Sequence, residues 1–197
     1  MRRLLILFAP LILFGIAGCY FLYVFLETST IGAFQDNLLP ELIGFCLEGF
    51  FLVGLFSLIQ RRLERERKQE LRQSLRGSLR EILSHLDVAL LEENAEPAST
   101  HSLDHEPSLI RALFVKLHGG ELDLNSMRSL KAAAARNVST MHDLIPVAAQ
   151  LSADHMRWWL SIAESVSRLS EATEKTGINY AAQKFLKNLG EFDQLPL

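Results

Sequence analysis

Two apolar runs at the start of the chain restrict its fold more than any other feature. Leu4 to Leu26 is 23 residues without a charge. As a helix it reaches roughly 34 Å, against about 30 Å for the hydrocarbon core of a bilayer. Leu42 to Ile59 is 18 residues, interrupted by one carboxylate, Glu48, and reaches roughly 27 Å. Residues 1–60 therefore read as a transmembrane hairpin, with spans at about 4–26 and 42–59. The 49% hydrophobic content and mean hydropathy of +0.15 are high for a soluble protein of this size, and the excess is concentrated before residue 60.

Charge is segregated along the chain. Residues 1–60 carry two basic and four acidic groups, residues 61–80 eight and three, and residues 81–197 ten and sixteen. An apolar head, a basic neck and an acidic body follow one another. Arg2 and Arg3 precede the first run; Arg61, Arg62, Arg65, Arg67 and Lys68 follow the second; the intervening "ETSTIGAFQDNLLP" has no Lys or Arg. The positive-inside rule then places both termini in the cytoplasm. The neck bases serve topology and solvation, and those nearest the span also have anionic lipid headgroups within reach, at about 1 kcal/mol each.

The start "MRRLLILFAPLILFGIAGC" also resembles a bacterial lipoprotein signal, with "IAGC" as its lipobox and Cys19 as the lipidated residue. The apolar "YFLYVFL" that follows is unlike the polar tether of such proteins, which favours an uncleaved first span. The layout as a whole is similar to that of small bacterial inner-membrane proteins with two N-terminal spans and a helical cytoplasmic part.

Beyond residue 60 the apolar period is helical. Leu71, Leu75, Leu79, Ile82, Leu86 and Leu90 form one stripe, so residues 61–93 are predicted as an amphipathic neck helix, with Gly77 its weak point. Residues 94–107, bracketed by Pro97 and Pro107, read as a loop, and 108–197 as a helical domain. Within it a helix starts at Pro107 and stops at Gly119. A second is capped by Asn125 and kinked by Pro146. A third is capped by Asp154 and stopped by Gly177, and a last one ends near Gly190. The fold class is all-α, a four- or five-helix bundle that includes the end of the neck.

Glu48 is the most informative candidate. It shares a helix face with Glu41, Gly44, Leu52 and Leu55 and lies roughly 10 Å deeper than Glu41. A carboxylate near a span centre costs about 2.5–3.5 kcal/mol. A neutral carboxyl bonded across helices offsets that cost, and so does a water-filled interior of a symmetric oligomer. The first span itself offers only Tyr20 and Tyr23.

The stretch "RNVSTMH", Arg136 to His142, resembles the arginine–histidine signature of HEPN ribonuclease domains, which are all-α and dimeric. The resemblance covers seven residues and implies Arg136 and His142 as catalytic groups. Arg80–His85 and Arg111–His118 meet the same spacing. The acidic body lacks the basic footprint of a nucleic-acid surface, so no nucleic-acid partner is expected. The bland alternative is Arg136 on a solvated face and His142 on a helix surface. His101 and His105 in "HSLDHE" would share a face if helical, but between prolines they read as loop. No metal or cofactor is expected. Trp158 and Trp159 are adjacent, so one enters the core and the other is a candidate contact. Two readings result. The favoured one is a membrane-anchored, non-enzymatic assembly protein, homo-oligomeric, with the bilayer and a cytoplasmic protein as partners and a pore-forming variant in which Glu48 faces the lumen. The alternative is a membrane-tethered HEPN-like ribonuclease.

Overall fold

The computed structural model describes residues 2–27, 38–91 and 96–197, with the side chains of 2–8 outside that description. Residues 28–37 of the predicted loop between the spans therefore lie outside the described residues, as do the Arg2 and Arg3 side chains and residues 92–95. All regular structure among the described residues is helical. The chain divides into two compact units, residues 1–65 and 66–197.

The first unit contains α1, Arg2–Glu27, and the apolar part of α2, Leu39–Ser78. Both are long and apolar enough to cross a membrane, with mean hydropathies of 2.1 and 2.2 in their apolar windows. Helix is the form such segments must take in lipid, because it satisfies the backbone within the segment. Small residues let the two helices approach. A Cβ added at Gly49 would lie 2.6 Å from the Phe14 ring, and one at Gly18 would lie 3.4 Å from the Cys46 Cβ. Phe14 also meets Phe45 edge-on, with centroids 5.9 Å apart.

At 40 residues α2 is a single helix of roughly 60 Å. It stops at Ser78 rather than running to about Glu93 as its stripe predicts. Beside Gly77, the Ser78 hydroxyl donates to the Leu75 carbonyl at 2.6 Å, a local bond that competes with the helix ladder. Leu79 N takes a tighter bond to Arg76 O, 3.0 Å. The chain re-enters helix as α3, Arg80–Ala89.

The second unit closes around one core. Leu75 and Leu79 enter it together with Ile82, Leu83 and Leu86 of α3. The region predicted as loop holds a six-residue helix, α4, Thr100–His105. Ser99 caps it by accepting from Ser102 N, and Leu103 is buried beneath it; that anchor is why it folds. Helix α5, Pro107–Gly119, has proline in its first turn. Helix α6, Leu124–Asp143, is capped by Asp123, whose Oδ1 accepts from Ser126 N at 2.8 Å; the cap is thus two residues earlier than Asn125. Pro146 does not kink α6 but sits in the first turn of a new helix, α7, Ile145–Leu151. There its missing N–H costs nothing. Ser152, not Asp154, caps α8, Ala153–Glu171. Helix α9, Lys175–Gln194, holds Gly177 in its first turn and runs past Gly190. Neither glycine ends a helix; both lie within α9. Helices α8 and α9 pack along each other, with α6 and α7 against α8, α5 against α9 and α3 against α6.

Candidate functional site

In the first unit, Cys46, Gly49, Phe50 and Gly54 of α2 approach α1. Glu48 falls outside that contact. It is exposed, as are Glu41, Leu52 and Leu55. No hydrogen bond or ion pair engages Glu48 among the described residues. Tyr20 and Tyr23 are themselves exposed. Among the described residues, the apolar helix pair thus presents a carboxyl group without a partner on an apolar face.

The second unit carries a cluster that the sequence pattern hides. Arg76 and Asp193 pair at 2.9 Å with side chains 4% and 2% exposed. Arg76 also donates to the Leu103 and Glu106 carbonyls at 3.2 and 3.1 Å. One turn earlier, Arg72 donates to the carbonyls of Phe192, Asp193 and Leu195, capping α9 where its last turn leaves acceptors unmatched. Its guanidinium lies over the Phe192 ring, 6.0 Å from the centroid. The buried His155 meets the same ring edge-on at 5.2 Å. Its Nδ1 lies 2.8 Å from Ser152 Oγ. Among the described residues, the buried polar side-chain atoms without a hydrogen bond are Arg76 Nε, Asp193 Oδ1 and His155 Nε2. All three belong to this joint between α2, α8 and α9. Burial pushes the Asp193 carboxyl above the usual carboxylate range, against the pull of Arg76 and Arg72. It pulls the Arg76 guanidinium down. Burial also pulls the His155 imidazole down, with Arg72 and Lys68 adding to the effect and Asp154 opposing it.

The residues of the HEPN-like spacing are placed differently from one another. Arg136 pairs with Glu81 of α3, and Asn137 Nδ2 donates to the same carboxylate at 2.7 Å. These bonds hold the Glu81 carboxyl below its ordinary range. His142 is exposed on the last turn of α6. Six residues along one helix place two side chains about 120° apart around its axis. Arg80 and His85, by contrast, line one polar cleft with Glu81, Ser84 and Asn137, and Arg80 there pairs with Asp104.

Trp159 is fully buried and donates from Nε1 to Met141 O at 2.9 Å, while Trp158 is half-buried. In α4 the His101 and His105 rings stack, with centroids 4.3 Å apart, so the segment is helical after all and the two histidines share a face. Among the described residues no three His, Cys, Asp or Glu side chains converge as metal ligands would. Of the neck bases, Arg62, Arg65 and Arg67 are exposed and Arg61 and Lys68 half-buried. Arg67 donates to Gln150 of α7 at 2.9 Å.

Comparisons with protein-family models, curated proteins and solved structures find no match to this chain. The reading of function rests on the residues themselves.

Proposed function

We propose that the chain is a membrane-anchored, non-enzymatic assembly protein that oligomerises through its apolar hairpin and presents its helical body to a protein partner. The observation that carries this reading is Glu48: a carboxyl in the apolar part of α2, turned away from α1 and without a partner among the described residues. Its cost of about 2.5–3.5 kcal/mol in lipid is offset when copies of the hairpin bring these faces together, by hydrogen bonds between carboxyls or by a shared water-filled interior. In the second form the assembly conducts ions.

The same reading puts the protein in a bacterial inner membrane with both termini cytoplasmic, argued from the basic flanks of the two runs. Arg62 and Arg65, exposed beside the second span, then contact anionic headgroups. Arg136 supports the body rather than a reaction, because its guanidinium is committed to Glu81.

The test is the oligomeric state of the protein extracted in mild detergent, measured by native mass spectrometry. The expected result is a discrete oligomer for the wild type and a shift toward monomer for Glu48→Leu, with Glu48→Gln in between. A monomeric wild type contradicts the proposal.

A further inference from the structure

The joint between α2, α8 and α9 concentrates unmet polar demand in one place. Buried polar groups ordinarily find partners, and departures from that rule are expected at functional or strained sites. Here the three unmatched buried side-chain atoms among the described residues sit on Arg76, Asp193 and His155. The groups are linked through Phe192, which lies between the His155 edge contact and the Arg72 guanidinium and directly precedes Asp193. Two clefts of about 390 and 410 Å³ flank Asp193, so the last turn of α9 has room to shift.

His155 is the group whose charge changes near neutrality. Its surroundings favour the neutral ring. From α2, Arg72 and Lys68 face it with positive charge; from α9 it meets an aromatic ring. Asp154, on its own helix, acts on it with negative charge. Ser152 Oγ contacts Nδ1 and also accepts from the His155 backbone N–H. A proton on Nε2 would have no acceptor in place and would set a second cation beside Arg72. We propose that this joint is a proton-sensitive clasp: neutral His155 seats Phe192 beneath Arg72, and protonation in mildly acidic solution frees the last turn of α9 from the neck end of α2. The inference goes beyond the assembly reading and holds whether or not the hairpin oligomerises.

The sign is set by the direction of the shift. A histidine whose pKa falls on folding supports the closed clasp fully above its ordinary value of about 6.5. That support is lost as pH drops below it.

The test uses the full chain in detergent with Trp158→Phe, which leaves Trp159, 5.8 Å from Phe192, as the reporter. Its emission is followed from pH 7.5 to 4.5 beside hydrogen exchange of residues 189–197. The expected result is a reversible transition below pH 6.5, in which exchange of the α9 terminus rises at least tenfold while that of α6 is unchanged. His155→Gln removes the transition. Two charge-removing variants outside the buried joint keep the proposal testable if His155→Gln misfolds. Lys68→Gln moves the midpoint up and Asp154→Asn moves it down, each by a few tenths of a pH unit. A wild type without a transition, a transition that survives His155→Gln, or shifts of the opposite sign overturn it.

Discussion

Removing the arginine of the buried pair tests the account of the body most sharply. Arg76→Met keeps the length of the side chain and deletes its charge. It strands the Asp193 carboxylate, 2% exposed, and takes donors from the Leu103 and Glu106 carbonyls. Breaking a buried pair from one side costs about 3–5 kcal/mol, because the remaining charge has neither water nor partner. For a body of this size that loss lowers Tm by about 10–20 °C. Asp193→Asn is milder, about 1–2 kcal/mol, since the amide oxygen still accepts from Arg76. Arg76→Met combined with Asp193→Leu recovers most of the single-variant loss, as apolar replacements of buried pairs do. Acidity adds a signature. A carboxyl whose pKa is raised by folding favours the folded state below its unfolded value, and that benefit disappears as pH rises through the folded value. Asp193 is raised already in the wild type and rises further without Arg76. The deficit of Arg76→Met relative to wild type therefore shrinks between pH 7 and pH 4.5. Thermal unfolding followed through Trp159, at pH 7 and pH 4.5, measures both. A loss under about 1 kcal/mol at pH 7, or a deficit that widens on acidification, refutes the reasoning.

Other outcomes follow from single contacts. Gly49→Ala drives a Cβ into the Phe14 ring and weakens the α1–α2 contact by about 1–3 kcal/mol; labelling of the buried Cys46 by a membrane-permeant maleimide then accelerates. Gly190→Ala meets open space and stabilises the body by about 0.5–1 kcal/mol through helix propensity, read as a raised Tm. Asp123→Ala loses the α6 cap and about 0.5–2 kcal/mol, whereas Asn125→Ala leaves Tm within 1–2 °C of wild type.

The legible part of the fold is the part written in hydrophobic period. Runs of apolar residues about as long as the hydrocarbon core of a bilayer is thick have few structural solutions, so the two apolar helices were readable. So were the faces of α8 and α9, where Trp159, Ile162, Val166 and Leu169 and then Ala181, Phe185, Leu189 and Phe192 are buried as their spacing requires. Interruptions were less legible, because they depend on one or two hydrogen bonds. Ser78 bonding back to Leu75 ends α2, and Ser152 displaces Asp154 as the cap of α8. Between Pro97 and Pro107 the burial of Leu103 outweighs the local preference for loop.

The joint of buried polar groups was missed for a related reason. Arg76 interrupts the stripe between Leu75 and Leu79, and His155 stands one turn before Trp159 on its buried face. Polar residues on an apolar face were the available signal. Their common destination was not, since the α2 and α9 members are more than 100 residues apart and only the tertiary fold brings them together. Conversely, the Arg136–His142 spacing stood out in the sequence but falls on a surface pair and an exposed histidine.

Whether the two apolar helices lie in a bilayer decides the rest of the account. Membranes from cells producing the full chain, washed in alkaline carbonate and sedimented, retain the protein in the pellet if the helices span the lipid. Release of the protein into the supernatant contradicts the account at its base.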